Sequence, residues 1–138
     1  MSLNSIFNIA GSAMSAQSIR LNTTASNMAN AETIAGSEDK VYRAKEPVFA
    51  TILKNGIQEN DAAGGVKVVK IVESQAPAQK RYEPGNPLAD EKGYVYMSNV
   101  NTIEEMANMI SASRAYQDNV EIMNTAKQMI MSTLKLGQ

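Results

Sequence analysis

The sequence predicts an α+β protein in which long N- and C-terminal helices pair as an antiparallel, coiled-coil-like hairpin, with a small, irregular, β-rich insert between them. The helices are predicted because apolar side chains recur every seven positions near both ends of the 138-residue chain, at Phe7, Met14, Leu21 and Met28 and at Met109, Tyr116, Met123 and Ile130. Such a repeat keeps one seam facing a partner helix along its length. Strand-forming and turn-forming residues fill the region between the two repeats. Helix-pairing patterns at both termini are typical of proteins that work by association.

The first helix is predicted over residues 3 to about 30. Leu3 and Ala10 occupy its companion heptad positions, and small or polar residues lower its intrinsic helix propensity. We therefore expect this helix to depend on packing against other helices. Asn27 and Asn30 lie three apart on one face, where their amides can bond across to neighbouring backbone or cap the helix end.

The insert is predicted over residues 33–100. A polar loop without an apolar face spans residues 35–40, and we expect this loop to be mobile in the free chain. Residues 66–72 form the clearest strand. The alternation of that strand slips between Val68 and Val69, which predicts a bulge or burial on both faces.

Proline and glycine mark the turns of the insert. Pro47 argues against a central strand around it. Pro84 and Gly85 suit a type II turn. Residues 90–93 form another turn before a short strand or extended segment at 94–97.

The second helix is predicted from Asn101 or Thr102 to about Leu136, without internal glycine or proline. Thr102 and Glu105 fit a capping box, in which two side chains satisfy two free amides of the first turn. Glu104 also lies in the first turn, where the helix dipole favours negative charge.

Two units follow from these elements. Residues 1–32 with 101–138 form a terminal helical assembly domain, and residues 33–100 form the insert domain with its connecting loops. The residues expected on the helix seam are mostly apolar and follow the heptads: Leu3, Phe7, Ala10, Met14, Leu21, Met28, Met109, Tyr116, Val120, Met123, Ile130 and Leu134.

A register follows from pairing the heptads in opposite directions. It forms four layers: Phe7 with Ile130, Met14 with Met123, Leu21 with Tyr116, and Met28 with Met109. Each layer would contribute about 2–4 kcal/mol before entropy is subtracted. A slip of one heptad would leave Phe7 or Met109 unpaired. Flanking polar residues are then expected to face adjoining subunits: Asn27, Asn30, Arg114 and Gln117.

Composition excludes several classes of function. The chain has no cysteine and no histidine, so disulfides, thiolate or imidazole catalysis and the usual zinc sites are excluded. Its net charge of −1 shows no excess of the basic residues that bind the phosphates of nucleic acid. The apolar runs are too short for a membrane span, and residues 1–7 lack the pattern of a cleavable signal peptide.

Three clusters have both a structural and a chemical interpretation. Adjacent residues on a helix point about 100° apart, so Glu104 and Glu105 are expected to serve the helix N-terminus rather than act as paired catalytic acids. The Gly64-Gly65 and Gly85-Asn86-Pro87 segments lack phosphate-loop spacing and are expected to be turns. Residues 80–82, Lys-Arg-Tyr, are expected to be a solvated turn face.

Two boxes in the sequence carry a family resemblance. Residues 26–33, SNMANAET, lie at the end of the first helix, and residues 111–119, SASRAYQDN, lie within the second. Both resemble the boxes of the bacterial flagellar axial proteins of the rod and hook. The matching residues are Asn27, Ala29, Asn30, Arg114, Tyr116 and Asn119.

The resemblance extends over essentially the whole chain and is similar in detail to a proximal-rod member of that family. The stretches that carry it are residues 7–13, 42–45, 73–77, 82–90 and 134–138. The chain departs from the general family after Gly36, where residues 37–41 are inserted before Tyr42.

The resemblance implies a structural, non-enzymatic protein of the flagellar basal body without cofactor, small-molecule substrate or nucleic-acid partner. It implies export by the flagellar type III apparatus without a cleaved signal, and helical polymerisation in the periplasm through the terminal helices. The implied partners are other copies of the chain, other rod proteins and the junction of the MS-ring with the rod. The rod would link the MS-ring side to the distal rod and transmit motor torque.

Two other functions remain as alternatives at this stage. One is a soluble helical adaptor or export chaperone, which would form a stable, fully helical dimer in dilute solution. The other is a carboxylate-based, metal-dependent hydrolase, for which no acid/base pair can be named.

Overall fold

The computed structural model describes residues 3–52 and 64–136 and is an α+β protein. Two long helices enclose a small antiparallel insert, as predicted. The elements in chain order are α1 (Leu3–Asn30), β1 (Ile34–Ala35), a short 3-10 helix (Glu38–Lys40), β2 (Lys45–Ile52), β3 (Gly65–Glu73), β4 (Gln79–Tyr82), β5 (Tyr94–Met97) and α2 (Thr102–Leu136).

The two helices pack against each other in opposite directions. Ile6, near the start of α1, shares an apolar groove with Ala126 and Met129, near the end of α2. Asn27, near the end of α1, bonds Glu105 in the first turns of α2. The eight residues that define the predicted heptads are all half-buried. The side chain of Leu3 lies outside the described part of the structure.

The predicted register between the helices is wrong. It sets Asn27 level with Ile110 and Arg20 level with Gln117, whereas their hydrogen bonds reach Glu105 and Asn108. Both contacts are displaced toward the start of α2, and so is the groove around Ile6. A slip of one heptad accounts for all three displacements. A heptad pattern repeats after seven residues, so it cannot distinguish two registers that differ by one repeat.

The shifted register leaves the end of α2 beyond Met129, which shares the groove with Ile6, without a partner among the described residues of α1. Helix α2 has 35 residues and α1 has 28, so α2 is longer by one heptad. Ala126 is buried, but from residue 127 to 135 every side chain is exposed except that of Ile130, which is half-buried. We call residues 127–136 the α2 overhang. Its exposed apolar side chains are Met129, Met131 and Leu134.

The start of α2 is capped by Asn101, so the predicted capping box of Thr102 and Glu105 is wrong. The Asn101 Oδ1 accepts hydrogen bonds from the backbone N–H of Ile103 and Glu104, at 3.1 and 3.4 Å. Asparagine is among the best N-cap residues because its short amide reaches these free N–H groups. The Glu105 carboxylate turns away and bonds Asn27.

Strands β2 and β3 form a two-stranded antiparallel hairpin that packs along α1. Lys45, at the start of β2, bonds Asn27, while Val66, at the start of β3, bonds Ser12. Eight strand residues and fifteen helical residues both span about 23 Å, so the hairpin matches α1 in length between these contacts. Because Pro47 lies in a two-stranded sheet, it is on an edge strand, as expected.

The predicted irregularity in β3 is a bulge. The register shifts between Val48 and Phe49, which pair with Lys70 and Val68, so Val69 has no partner in the ladder. Val69 is exposed, which excludes the alternative of burial on both faces. An extra residue in one strand bends it and increases its twist.

Strands β1, β5 and β4 form a second, three-stranded antiparallel sheet in that order. Strand β5 confirms the extended segment predicted at residues 94–97. Lys80, Arg81 and Tyr82 lie in β4 rather than on a turn, because they pair with Tyr96, Val95 and Tyr94. The predicted loop at residues 35–40 contains the last residue of β1 and the 3-10 helix, and its predicted mobility remains a prediction.

Two turns close the loop between β4 and β5. The backbone N–H of Asn86 bonds the carbonyl of Glu83 at 3.0 Å, but Gly85 does not have the positive φ that a type II turn requires. The predicted turn is present, and its type is wrong. Gly93 is the glycine with positive φ in the described chain, at 79°. It follows Asp90, whose carboxylate accepts bonds from the N–H groups of Lys92 and Tyr94.

The buried apolar side chains are alanines and valines. On the helices they include Ala10, Ala16, Ala112 and Ala126, and the larger heptad residues are only half-buried. Small buried residues let helix backbones approach closely. In the described segments, neither helix is long and apolar enough to cross a bilayer.

Candidate functional site

A buried asparagine joins the two helices to the insert. Asn27 is 1% exposed. Its Nδ2 donates to the carbonyl of Lys45 at 2.8 Å and to Glu105 Oε1 at 3.1 Å. Its Oδ1 accepts from the N–H of Lys45 at 2.9 Å and from the Tyr42 hydroxyl at 3.0 Å. The amide thus makes the four bonds available to it. We call Asn27, Tyr42, Lys45 and Glu105 the junction.

The Asn27 side chain bonds the backbone of Lys45 in the way that a neighbouring β-strand would. The side-chain amide of Asn27 donates to and accepts from one backbone residue, as a neighbouring strand would. It therefore satisfies the backbone groups of Lys45 on the edge of β2 that faces away from β3. An alanine at position 27 would leave both backbone groups of Lys45 without these bonds.

A second asparagine ties the insert together beside the junction. Asn99 Oδ1 accepts from the N–H of Ala44 at 2.8 Å, and its Nδ2 donates to the carbonyl of Ala76 at 2.9 Å. Ala31, Ala44 and Val100 form the buried apolar cluster there, with Tyr42 packed against it. The end of α1, the start of β2 and the start of α2 therefore meet at one place.

The first family box ends α1 at this place. Asn30 Nδ2 bonds the carbonyl of Ser26 at 2.8 Å, and the Thr33 hydroxyl bonds the carbonyl of Asn30 at 2.7 Å. The Thr33 bond satisfies one of the four final carbonyls of α1, which lack intrahelical partners, and the Asn30 amide folds back onto the preceding turn. Ala29 is exposed. Asn27 makes the predicted bonds to neighbouring backbone, but the expectation that it faces an adjoining subunit is wrong because it is buried within its own chain.

The second family box lies in the middle of α2. Arg114 and Gln117 are exposed, so they are available to other molecules. Tyr116 is half-buried. Asn119 Nδ2 bonds the carbonyl of Ala115 at 2.7 Å, four residues back. The two boxes do not meet at the junction, because Asn27 lies opposite the first turns of α2 rather than its middle.

Sequence reasoning did not identify three junction groups: Tyr42, Glu105 and the backbone of Lys45. The sequence marks residues 42–45 only as a stretch that resembles the family. Glu105 was assigned to the helix cap, although it is buried and its neighbour Glu104 is exposed. Glu105 is 78 residues from Asn27 in sequence, so no local pattern joins them.

Titratable groups do not form a reactive constellation in the described residues. The Asn86 amide and then Arg81, which lies 2.7 Å from the carboxylate, hold the pKa of Glu83 below its ordinary value. Glu83 lies in an exposed turn. Acidic side chains do not cluster as metal ligands within residues 3–52 and 64–136.

Two family models match the helical ends of the chain. The model described as "Flagella basal body rod protein" matches residues 7–34, which cover most of α1 and the start of β1. The model described as "Flagellar basal body rod FlgEFG protein C-terminal" matches residues 91–136, which cover β5 and α2. Together they include the junction residues Asn27 and Glu105.

Curated relatives match from end to end. Flagellar basal-body rod protein FlgC from Escherichia coli O6:H1 is 56% identical over 138 residues, with all of both chains covered. The proteins of the same name from Yersinia enterocolitica and Salmonella typhimurium are 55% and 54% identical with the same coverage. The chain belongs to the FlgC family of flagellar basal-body rod proteins. The resemblance found in the sequence is thereby confirmed. This is a family of structural proteins and not of enzymes.

Proposed function

We propose that this protein is a structural subunit of the proximal rod of the bacterial flagellar basal body. It polymerises helically through α1 and α2, links the MS-ring side to the distal rod and transmits torque. Family membership supports the rod assignment. The structural observation that supports polymerisation is the α2 overhang, where an apolar helix surface continues past the end of its partner.

The overhang is suited to a neighbouring copy of the chain. It continues the seam that α1 covers elsewhere: Ile130 keeps the heptad spacing of Met109, Tyr116 and Met123, and Leu134, fourteen residues after Val120, continues the companion heptad position. A helix with the same repeat would bury these side chains in the way α1 does. The seam residues of α1 and α2 would then form coiled-coil-like contacts both within a subunit and between subunits.

A second exposed stripe lies beside the seam near the start of α2. Ile103, Met106 and Ile110 are 78%, 45% and 55% exposed and recur at helical spacing. Arg114 and Gln117 follow on the same side, one and two turns after Ile110. This stripe and the overhang are separate surfaces of one helix, which is the arrangement that builds open, heterologous polymers.

The described domains have different roles in this proposal. Residues 1–32 and 101–138 form the assembly domain, and residues 33–100 form the insert, which the junction holds at a set position beside α1. The rod location implies transit through the flagellar type III export apparatus without a cleaved signal peptide, and contacts with other rod proteins and the MS-ring junction.

Charge placed on the overhang tests the proposal. We expect Met131→Glu with Leu134→Glu to abolish swimming and rod formation when the protein replaces the native rod subunit of a flagellated strain. Each carboxylate would be buried in the subunit contact without a partner. The matched control is Gln128→Glu with Ser132→Glu, which places two charges in the same turns at exposed polar positions on a different face of α2. Normal rods from the double overhang variant would contradict the proposed contact.

A further inference from the structure

The polar contacts between the helices and the apolar heptads favour different registers. The apolar register, predicted from the heptads, aligns four layers and covers Ile130 with Phe7. The observed register is one heptad away. It sets Phe7 near the level of Met123 and leaves Ile130 at the start of the overhang, so it aligns one apolar layer fewer.

Two hydrogen bonds exist only in the observed register. Asn27 bonds Glu105 at 3.1 Å, and the Arg20 guanidinium bonds Asn108 Oδ1 at 2.8 Å. A slide of one heptad moves each pair apart by about 10 Å along the axis, which is beyond hydrogen-bond reach. Asn27 would then be level with the apolar residue Ile110. Because Asn27 and Glu105 are both buried, separating them would leave polar groups without partners, which is costly.

The register also decides whether the overhang exists. In the observed register, α2 extends past α1 by about one heptad, and Met129, Met131 and Leu134 are exposed. In the apolar register, the first turns of α1 would lie against the last turns of α2. The seam would then be satisfied within one chain, and no apolar end would remain for a neighbour.

We propose that the Asn27–Glu105 and Arg20–Asn108 bonds hold the hairpin in the register that leaves its last heptad open for assembly, against the closed register that the apolar layers favour. A single polar residue at a seam is known to select one register of a coiled coil at some expense of stability. Here the polar pairs lie at the junction end, some 30 Å from the heptad whose exposure they decide. The inference rests on the proposed assembly role.

The chain has no cysteine, so two introduced cysteines would be its only sites for thiol-specific spin labels, and the distance between the labels can be measured directly. Asn8→Cys and Ala107→Cys place spin labels on exposed positions of the two helices. The register variant is Glu105→Leu with Asn108→Ala, which removes both bonds from the α2 side and leaves the contacts of Asn27 to Lys45 intact. The control is Glu105→Gln, whose Oε1 can still accept from Asn27. Pulsed electron paramagnetic resonance then reports the distance between the labels.

We expect the register variant to lengthen the label distance by up to about 10 Å, since seven residues rise by that amount, and the Gln control to keep the original distance. Glu105→Ala, which removes one bond, is expected to show a second, longer population in the distance distribution. An unchanged single distance in both Glu105→Ala and the folded register variant would overturn the inference. The short connections at residues 31–33 and 98–101 would then set the register.

Swimming of a strain carrying each variant separates this inference from the proposed function. We expect the register variant to lose motility together with the lengthened distance, and the Gln control to swim. A lengthened distance with normal swimming would contradict both the importance of the open heptad and the assembly contact. An unchanged distance with normal swimming would overturn only the register inference and would leave the rod assignment in place.

Discussion

Asn27 joins three parts of the structure through four hydrogen bonds. Its amide satisfies the backbone of Lys45, the Tyr42 hydroxyl and the Glu105 carboxylate at once. When the partner of a buried polar group is removed, the desolvation of that group is no longer compensated. The stability lost in this way exceeds the net stability that the hydrogen bond itself contributes. The motif residue that marks the family is therefore also the residue that joins the helices to the insert.

Replacing Asn27 by alanine is expected to lower the free energy of unfolding by about 3 kcal/mol, because the backbone groups of Lys45 and the Glu105 carboxylate lose buried partners. Urea denaturation followed by circular dichroism measures the change. Asn22→Ala, at an exposed position of the same helix, is the control and should change stability by less than about 0.5 kcal/mol. Equal stability of the two variants would contradict the role assigned to the junction.

Glu83 provides a pH-dependent prediction. The Asn86 amide and Arg81 lower its pKa in the folded state. Its contribution to stability is therefore present above the ordinary carboxyl pKa and is lost as the pH falls through the lowered value. We expect Asn86→Ala to raise the pKa of Glu83 in an NMR titration, whereas Asn124→Ala, on an exposed part of α2, should leave it unchanged. A Glu83 pKa that does not respond to Asn86→Ala would contradict this cause.

The β2–β3 hairpin depends on a close approach between β3 and α1. The Ser12 hydroxyl donates to the carbonyl of Ile9 at 2.8 Å and accepts from the N–H of Val66 at 3.1 Å. A Cβ at Gly65 would lie 2.6 Å from the Ser12 oxygen. The absence of a side chain at this position is what lets the strand reach the helix.

Gly65→Ala is accordingly expected to lower the free energy of unfolding by about 1–3 kcal/mol, the usual range for forcing extra atoms into a packed contact. Gly85→Ala is the matched control, since nothing lies within 4 Å of a Cβ there and its φ is not positive. That variant should be neutral or slightly stabilising. Thermal melts of both variants measure the difference, and a destabilised Gly85 variant beside an unaffected Gly65 variant would be the contrary result.

The helices differ from the insert in what they are expected to tolerate. Deletion of Met1–Ile9 or of Ala126–Gln138 should abolish rod formation and swimming, because each deletion removes a part of the predicted seam. Alanine replacement of Glu38 and Asp39, in the 3-10 helix of the insert, should leave swimming intact. Electron microscopy of purified basal bodies checks rod formation directly. Swimming at the normal rate with either terminus deleted would disprove the requirement.

The protein is expected to be monomeric in dilute solution. Its α2 overhang and the exposed stripe at Ile103, Met106 and Ile110 are different surfaces, so they suit the head-to-tail contacts of a polymer rather than a symmetric dimer. Sedimentation measures the oligomeric state, and circular dichroism measures the helix content. We expect the extreme ends of the chain, outside the paired segment that carries Asn8 and Ala107, to be largely disordered in the free chain and to become helical on assembly, since helix ends without a packed partner have little stability. A stable, fully helical dimer would favour the adaptor function instead.

Local patterns were sufficient for the helices, the bulge at Val69 and the family. Heptads and the lack of internal proline defined α1 and α2 to within a residue or two, because helical periodicity is a property of consecutive residues. The slip in alternation between Val68 and Val69 likewise lies within one strand. The cap at Asn101 and the strand at residues 79–82 were not found, because neighbouring residues offered equally plausible turn and capping chemistry.

Tertiary contacts decided the helix register and the partners of Asn27. A heptad repeat matches itself after every seven residues, so the apolar pattern alone permits registers that differ by one repeat. Two hydrogen bonds between residues 78 and 88 positions apart distinguish these registers. Such bonds depend on where the short connections and the insert bring the chain in space, and this is why the amino-acid order identified Asn27 as a bonding residue but did not identify Glu105 as its partner.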